Sequence, residues 1–325
     1  MLTTERLMHG GIMANYRCTA MCRHCLYACS PERTDGYITE AIAKSVSGLL
    51  RFAGCRSVHI GGGEPFLDFD SLLILVRTLT DSGIRVEYIE TNAYWASDTL
   101  RSETYLRELL NADAGTLCIS LDPFHAEYVP IELPLSLAKA CNDAGFGYFL
   151  WQERYLPAMA RLDKSKAHNR EEMETLISPR YIIDTAKSYS LHFGGRAIGI
   201  EAEYYPCKPA SDVLNKRPCQ RLLSGEHFHV DMHGQYIPPG CTGIAIPLSE
   251  AVHGIPDGKY PVFETLLAGG VERLLEYAVF KGFIVNDSGY PSGCALCFHI
   301  RHWLCENAPS PELDHEHYEQ AMRKP

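Results

Sequence analysis

The segment "CTAMCRHCLYAC" at 18–29 holds four of the 13 cysteines of this chain. Three of them, Cys18, Cys22 and Cys25, have the spacing C-x3-C-x2-C. A structural zinc ion is usually enclosed by four ligands, whereas three thiolates from one loop suit a cubane iron–sulfur cluster whose fourth iron stays open. Spacing alone favours the cluster, and zinc remains the alternative. A fourth ligand, Cys29, is unnecessary in such a cluster, and we predict a buried structural thiol there.

A second group of cysteines lies in the last third of the chain. Its members are Cys219, Cys241, Cys294 and Cys297, of which the last two form the C-x2-C pair of "SGCALC". Dispersed ligands that end in a C-x2-C pair suit either zinc or an auxiliary iron–sulfur cluster. The reserve ligands are Cys207 and Cys305, and a zinc site would have His299 and His302 as possible nitrogen ligands. Spacing alone leaves zinc and an iron–sulfur cluster open at this second group.

Composition excludes several classes of function. The net charge of −10 argues against nucleic-acid binding, which needs a basic face. The N-terminal segment "MLTTERLMHGG" lacks the apolar core of a signal peptide, and the longest aliphatic run, "LLILV" at 72–76, is too short to span a bilayer. We therefore predict a cytoplasmic protein that binds neither nucleic acid nor membranes. A reducing compartment disfavours disulfides, and the isolated Cys55, Cys118 and Cys141 are interpreted as small buried hydrophobes.

The elements that must position these residues alternate between strand and helix over the first two hundred residues. Predicted strands lie at 11–16, 56–62, 84–90, 115–121, 146–153 and 191–200, and predicted helices at 39–54, 68–83, 97–113, 134–145 and 179–190. About six βα units imply a parallel sheet with helices outside it, as an open doubly wound sheet or a partial barrel.

Polar and glycine-rich segments follow the predicted strands where such folds carry their chemistry, at the carboxyl ends. The cysteine loop follows the first strand, "GGGEP" (61–65) the second, "TN" (91–92) the third and "SLDPFH" (120–125) the fourth. We expect these four segments to lie together at one edge of the sheet.

The alternation ends near residue 205, which predicts two domains, 1–205 and 206–325. The second contains a predicted hairpin at 226–240 that turns at His233-Gly234, and a helix at 262–282 that is interrupted at Gly269-Gly270. The acidic tail at 310–325 is predicted to be a solvated helix or a frayed end.

The cysteine spacing and the "GGGEP" turn together resemble the radical S-adenosylmethionine (SAM) superfamily, over roughly residues 8–205. The resemblance implies a (β/α)6 partial TIM barrel and a 4Fe–4S cluster whose open iron binds SAM. It also implies an oxygen-sensitive enzyme that cleaves SAM to a 5'-deoxyadenosyl radical, which takes a hydrogen atom from the substrate.

The same resemblance assigns residues to SAM. The turn residues Gly61, Gly62, Gly63 and Glu64 would lie along its methionine part. The resemblance places His24 near the adenine, and Asn92, Ser120 and Asp122 near the ribose or the carboxylate. Beyond them, His125 and Glu127 are candidates to face the substrate.

The second cysteine group resembles the SPASM or shorter twitch extension of radical SAM enzymes, which implies a second, auxiliary 4Fe–4S cluster. The order of its motifs, with "SLDPFHAEYVP" and "CTAMCRHCLYACSP", resembles the peptide epimerases of the epipeptide type. In those enzymes the hairpin ends in two cysteines, one a cluster ligand and the other a hydrogen-atom donor. Here it ends in Cys241 alone, which can take one role but hardly both.

The resemblance predicts modification of a ribosomally made peptide, by epimerisation or crosslinking. The alternative is a radical SAM enzyme that acts on a small molecule in antibiotic or cofactor biosynthesis, which the missing second cysteine motivates. Either reaction needs an electron donor such as flavodoxin or ferredoxin.

Overall fold

The computed structural model describes residues 2–214 and 216–325, whose strands form one mixed sheet. The strands are β1 (His9–Met13), β2 (Ser57–Gly61), β3 (Arg85–Thr91), β4 (Thr116–Ser120), β5 (Gly147–Trp151), β6 (Glu226–Val230), β7 (Gln235–Ile237) and β8 (Ile246–Pro247). Their order across the sheet is β5-β4-β3-β2-β1-β6-β7-β8. Strands β1 to β6 pair in parallel, and β7 and β8 continue the sheet antiparallel. The predicted α/β partial-barrel class is confirmed.

The helices connect and flank these strands. They are α1 (Glu40–Phe52), α2 (Phe69–Asp81), α3 (Thr99–Leu110), α4 (Pro123–Ala126), α5 (Glu132–Ala144), α6 (Leu156–Met159), α7 (Arg170–Leu176), α8 (Tyr181–Ser188), α9 (Ile198–Tyr204), α10 (Ala210–Val213), α11 (Leu248–His253), α12 (Pro261–Phe280), α13 (Gly293–Asn307) and α14 (His315–Met322). Within the described residues, no helix combines the length and the apolar character that a membrane crossing requires.

Local sequence signals explain the ends of the early helices. The Asp68 carboxylate accepts a hydrogen bond from Ser71 N (3.0 Å) and caps α2. Gly145 ends α5 in the left-handed conformation (φ 65°), which only glycine adopts without strain. The interruption of α12 is also confirmed, because Gly269 and Gly270 have non-helical backbone angles.

The prediction of a sixth strand at 191–200 is wrong. Residues Gly195–Ala197 form a 3-10 turn that leads into α9, and the sixth parallel strand is β6, which pairs with β1. The reason is a tertiary contact: Gly195 has a φ of +52° and packs so closely on the cysteine loop that a Cβ there would lie 2.0 Å from Leu26 O. A strand at this position would lose that contact.

The C-terminal part shares the sheet of the first two hundred residues, because β6 lies beside β1. The predicted turn at His233-Gly234 is confirmed, with Gly234 at φ +78° between β6 and β7. The tail, predicted to be a solvated helix or a frayed end, forms the helix α14, but this helix is packed rather than solvated: Tyr318 is buried, and Gln320 Oε1 accepts a hydrogen bond from Ser30 Oγ (3.0 Å) in the cysteine loop. The predicted boundary at 205 stays a prediction.

The two faces of the sheet differ in polarity. One face carries aliphatic residues that pack under the helices, such as Ile60, Ile89 and Leu117, each fully buried. The opposite face, here called the inner face, carries His59, Glu90, Cys118, Phe149 and His229 on successive positions of β2, β3, β4, β5 and β6. The inner face is open beside β5, the edge strand, where Phe149 is 39% and Trp151 46% exposed.

Candidate active site

The first cysteine loop leaves β1 and is closed by short backbone hydrogen bonds. Cys18 N donates to Ser30 O (3.1 Å) and Cys25 N to Cys22 O (3.1 Å), which fixes both ends of the loop. Cys18 and Cys22 are buried, and Cys25 is half-buried. Burial raises the pKa of the Cys18 thiol, and the neighbouring Cys22 raises it further. The loop therefore gathers three thiols in a dry environment.

The spacing of these thiols bears on the choice between zinc and iron. Within the described residues, the Sγ atoms of Cys18, Cys22 and Cys25 do not all lie within 4.8 Å of one another. Thiolates around one zinc ion are about 3.8 Å apart, for a Zn–S distance of about 2.3 Å. Three thiols from one loop are the ligands of a cubane cluster that keeps one iron open. The donor set therefore fits the predicted cluster.

Cys29 contacts Cys25 rather than completing the set. Its backbone N–H donates to Cys25 Sγ (3.3 Å), and its thiol donates a second hydrogen bond to the same sulfur. This contact lowers the pKa of Cys25 and raises the pKa of Cys29. Such a partner stabilises a thiolate at position 25, in keeping with the prediction that Cys29 is a structural thiol.

Arg196 clamps the cysteine loop from the turn before α9, and the sequence analysis missed it. Its guanidinium is buried and donates to Cys22 O and to Cys29 O, both at 3.0 Å, while its backbone N–H donates to Cys25 O (3.0 Å). The cation and three donated hydrogen bonds hold the loop against the following turn. The only sequence signal was the Gly-Gly-Arg of a segment that was interpreted as a strand.

The "GGGEP" turn packs against the cysteine loop with no room for side chains. A Cβ on Gly63 would lie 1.9 Å from Arg17 O, and Gly62 has a φ of +151° beside Asn15. The Gly63 N–H donates to Asn15 O (2.9 Å), and Glu64 N–H to Arg17 O (2.9 Å). These contacts bring the turn beside the thiols and require glycine there.

The Glu64 carboxylate is fully buried and engaged by protein donors. It accepts from Asn92 N (2.7 Å), Thr91 Oγ1 (2.9 Å) and Phe66 N (3.0 Å). Burial raises the pKa of Glu64 to about 7, against the lowering effect of those hydrogen bonds. We interpret Glu64 as the residue that ties the second strand end to the third, so a bound ligand at this turn would meet backbone groups.

Asn92 extends this tie to the first cluster site. Its Nδ2 donates to Thr19 Oγ1 (3.0 Å) and lies 3.6 Å from Cys18 Sγ, while Oδ1 accepts from Tyr94 N (3.0 Å). An amide N–H beside a ligating sulfur stabilises its negative charge and tunes a cluster. The predicted contact of Asn92 with SAM remains a prediction.

His24, Asp122 and His125 come together beside the same loop. Their candidate ligand atoms lie within 4.8 Å of one another, and the His24 ring stacks on Phe124 at 4.7 Å between centroids. Burial lowers the pKa of His24 to about 4, and its buried Nδ1 has no hydrogen-bond partner among the described residues. A flat, neutral ring with an unused polar atom fits the predicted neighbour of adenine.

Asp122 and His125 form a close pair at the start of α4. Asp122 Oδ1 accepts from Phe124 N (2.8 Å) and His125 N (3.1 Å), and its Oδ2 lies 2.5 Å from His125 Nδ1. Although burial opposes ionisation, the His125 charge holds the pKa of Asp122 below its usual range. Both oxygens of Asp122 are already engaged by these contacts, so the group formed by His24, Asp122 and His125 is a poor metal site.

Ser120 and Glu127 differ in how their side chains are surrounded. Ser120 ends β4 and is half-buried on the inner face. Glu127 accepts from Arg23 Nε (3.0 Å) and Tyr181 OH (3.0 Å), with only 6% of its side chain exposed. Since Glu127 is enclosed by these partners, we interpret it as a structural residue that orients Arg23.

The second cysteine group is assembled from three separate segments. Cys219 precedes a 3-10 turn, Cys241 follows the hairpin, and Cys294 and Cys297 lie in the first turns of α13. A thiol hydrogen bond from Cys219 lowers the pKa of Cys241 to about 6, and Cys294 and Cys297 interact electrostatically with both. All four predicted ligands therefore come together, in the described part of the chain.

A buried arginine also accompanies the second group. Arg301 lies one turn after Cys297 on α13, and its Nη1 donates to Thr242 O and Tyr318 OH, both at 2.8 Å. The pKa of Cys241 is lowered mainly by the Cys219 hydrogen bond and further by the charge of Arg301, whereas desolvation opposes both effects. Like Arg196, it could not be recognised from spacing, because an arginine on a helix is most often a surface residue.

The reserve ligands lie elsewhere. Cys207 is exposed, and the charges nearest Cys305 belong to Asp314 and Glu306 rather than to cysteines. His302 pairs with Glu306 (3.3 Å), and the His299 ring lies against Tyr290, at 5.6 Å between centroids. These positions favour the four cysteines over any mixed set.

Comparisons with known proteins give one sequence relative and several similar folds. No protein-family model matches the chain. YydG of Bacillus subtilis (strain 168), whose name assigns it to peptide biosynthesis, is 27% identical over 113 residues, so the chain spans about a third (35%) of that relative's length and 35% of its own.

Two of the solved structures are similar at low identity. Streptococcus suis SuiB bound to its precursor peptide SuiA is 15% identical and covers 90% of this chain and 76% of SuiB, with a TM-score of 0.45. BtrN in complex with AdoMet and 2-DOIA is 15% identical, with 84% and 91% covered and a TM-score of 0.46. The chain resembles the radical SAM enzymes in its motifs, and the name of its sequence relative refers to peptide biosynthesis.

Proposed function

We propose that this chain is a radical SAM enzyme that modifies a peptide. The observation that carries the proposal is the meeting of the buried Cys18 and Cys22 and the half-buried Cys25 with the "GGGEP" turn at one end of the parallel strands. Its support is the agreement of both motifs with the geometry that a three-thiolate cluster and a SAM molecule need. A cytoplasmic, reducing environment suits the free thiols.

The residues of this site would divide the work as follows. Cys18, Cys22 and Cys25 hold a 4Fe–4S cluster, and the backbone of Gly61–Gly63 and the His24 ring hold SAM. When bound, the cluster and SAM supply the electron and the radical that removes a hydrogen atom from the substrate. The chain's own contribution is to orient SAM, to exclude water through burial, and to leave the inner face open for the substrate beside β5.

Cys219, Cys241, Cys294 and Cys297 are proposed to hold the auxiliary 4Fe–4S cluster. The support is the hydrogen bond between the Cys219 and Cys241 thiols, the electrostatic interaction of both with Cys294 and Cys297, and the buried Arg301, which balances negative charge on the thiolates. In this arrangement Cys241 acts as a ligand, because its thiol contacts Cys219 within the set. Epimerisation would then need another hydrogen-atom donor, whereas a crosslinking reaction would not.

A peptide substrate is favoured over a small molecule by the relative of peptide biosynthesis and by the open inner face. Flavodoxin or ferredoxin would supply the electron. In deuterated water, a peptide product with deuterium at one α-carbon supports epimerisation, and a mass loss of two hydrogens without deuterium supports a crosslink. A short precursor-peptide gene beside the gene of this chain would supply the peptide for the assay.

The decisive experiment is anaerobic reconstitution with iron and sulfide, followed by electron paramagnetic resonance with and without SAM. The proposal expects a reduced 4Fe–4S signal that changes when SAM binds, and formation of methionine and 5'-deoxyadenosine. Tetrahedral zinc in the first cysteine loop, with no spectral response to SAM, would overturn it. Turnover of a small molecule but of no peptide would overturn the substrate class alone.

A further inference from the structure

Three histidines meet on the inner face, beside the first cysteine loop, whose Tyr27 packs on His229. His59 on β2 and His229 on β6 flank β1, and His227 lies two residues before His229. His59 Nε2 and His229 Nε2 are 3.1 Å apart. The nearest carboxylate, Glu90 on β3, has its Oε1 4.0 Å from His59 Nε2. No step of the proposed function uses these residues.

The distances among the rings approach those of imidazoles around one metal ion. Nitrogen ligands at about 2.0–2.1 Å from a zinc ion lie roughly 3.3 Å apart in a tetrahedron and roughly 2.9 Å apart at right angles. The observed 3.1 Å between the Nε2 atoms of His59 and His229 falls between these two expected separations. Ring centroids around one zinc are about 5 Å apart, and the observed separations are 5.0, 5.7 and 5.8 Å.

The backbone makes room for this arrangement at Gly11 of β1. A Cβ on Gly11 would lie 2.4 Å from both the His59 Nε2 and the His229 Cδ2 positions. Any other residue would push the two nitrogens apart. A glycine within a buried strand is otherwise unfavourable, and such glycines often mark a place where groups approach closely.

The backbone is also strained at His227, which adopts φ +56° at a bulge between β6 and β1. A non-glycine residue in the left-handed region costs of order 1–3 kcal/mol, and such residues cluster at functional sites. Bulges re-aim side chains next to active sites in the same way. Here the strained residue, His227, is the one whose ring lies near both His59 and His229.

Neighbouring rings hold the imidazoles in place. Tyr88 stacks on His59 at 4.9 Å and 8°, and Tyr27 packs on His229 at 5.1 Å. Burial lowers the pKa of His59 to about 3 and lowers the pKa of His229 as well, so both rings are neutral at physiological pH. Neutral imidazole is the form that binds metals.

We propose that His59, His227 and His229 bind a divalent transition-metal cation of the zinc class on the inner face, with Glu90 as its carboxylate neighbour. The ligand atoms of the three histidines do not all lie within 4.8 Å in the described residues. Binding therefore requires the exposed His227 ring and the Glu90 carboxylate to move toward the His59–His229 pair.

The competing explanation is a plain hydrogen bond between two neutral imidazoles, in which one Nε2–H donates to the other Nε2. That bond accounts for the 3.1 Å distance alone. It does not account for the strained His227 or for Glu90, so the metal site explains more of the geometry. The inference is independent of the proposed function, because its ligands are nitrogens and its test measures metal content.

The test uses the full chain with its iron–sulfur clusters reconstituted anaerobically, dialysed against micromolar zinc chloride. We expect one zinc per chain by mass spectrometry with unchanged iron, and a nitrogen or oxygen shell at about 2.0–2.1 Å in zinc X-ray absorption. The double variant His59→Ala/His229→Ala should lose that zinc. The single variant His227→Ala, at an exposed position, should weaken zinc binding by at least ~10-fold.

The matched control is His253→Ala/His315→Ala, which removes two exposed histidines outside the site. It should keep the zinc and the iron. Equal zinc in the double variant and the unsubstituted protein would overturn the proposal, as would a sulfur shell near 2.3 Å or no bound zinc. If the double variant loses iron and so has not folded, the His227→Ala result decides, since full zinc affinity there contradicts the site.

Discussion

The two cysteine groups are built in opposite ways. The first comes from one loop of eight residues, 18–25, whose backbone is closed locally and clamped by Arg196. The second is drawn from three segments that meet only in the folded chain, and Arg301 lies among its thiols. The difference teaches that the first site depends on the shape of a loop, whereas the second depends on the packing of α13 against the hairpin.

The largest effect is expected at the first site. The variant Cys18→Ala/Cys22→Ala/Cys25→Ala should lose SAM cleavage entirely but keep about four irons per chain in the second group. Iron content measures the cluster of the second group, and 5'-deoxyadenosine formation measures SAM cleavage at the first site. Cys29→Ala is the matched control and should keep both. Near-complete loss of iron from a folded triple variant would show that the second group holds no cluster.

The second group should separate SAM cleavage from product formation. Cys241→Ala is expected to remove about four irons per chain and to abolish modification of the peptide, while cleavage of SAM continues at the first site. Cys207→Ala, which changes an exposed cysteine, should leave both iron and product unchanged. Loss of iron in Cys207→Ala would mean that Cys207 is a cluster ligand in place of one of the four proposed cysteines.

Arg196 tests whether the first loop depends on its clamp. Arg196→Met leaves the Cys29 carbonyl without a donor and removes one of the two donors of the Cys22 carbonyl, so the free energy of unfolding of iron-free protein should fall by about 2–4 kcal/mol. Urea unfolding measures it. Arg180→Met, which removes an exposed guanidinium 3.7 Å from Asp184, should cost about 0–1 kcal/mol. Equal losses would mean that the buried donors do not hold the loop.

The smallest expected effect is a pH dependence of the free energy of unfolding, caused by Glu64 in the turn beside the first cysteine loop. Its pKa of about 7 lies above the ordinary 4.5, so the folded chain binds a proton that the unfolded chain has released between these values. The free energy of unfolding therefore falls as pH rises from about 4.5 to 7, by roughly 1–3 kcal/mol. Glu64→Gln should flatten this slope in iron-free protein, and an unchanged slope would contradict the assignment.

Much of the first site could be predicted because its information is local. The spacing of Cys18, Cys22 and Cys25, the "GGGEP" turn and the cap at Asp68 each lie within a few residues, and the sheet brings the strand ends together by its topology. The segment 191–200 failed because its contacts with Leu26 and Cys25 override the local preference for a strand.

The rest depends on residues far apart in the chain. His59 and His229 are separated by 170 positions, and nothing near either one indicates a partner. Arg196 and Arg301 are ordinary in their local sequence and become informative only when buried beside the cysteines. The tail at 310–325 is acidic and polar, yet α14 packs because Tyr318 and Gln320 find partners in distant segments.

The contact of α14 with the first cysteine loop has a consequence for biogenesis. Ser30 bonds Gln320, and Arg33 pairs with Glu316 at 3.0 Å, so the outer wall of the loop is supplied by residues made almost three hundred positions later. A ribosome releases the chain N-terminus first, at about 5–20 residues per second. During synthesis the loop therefore lacks this outer wall for roughly tens of seconds, until α14 has been made.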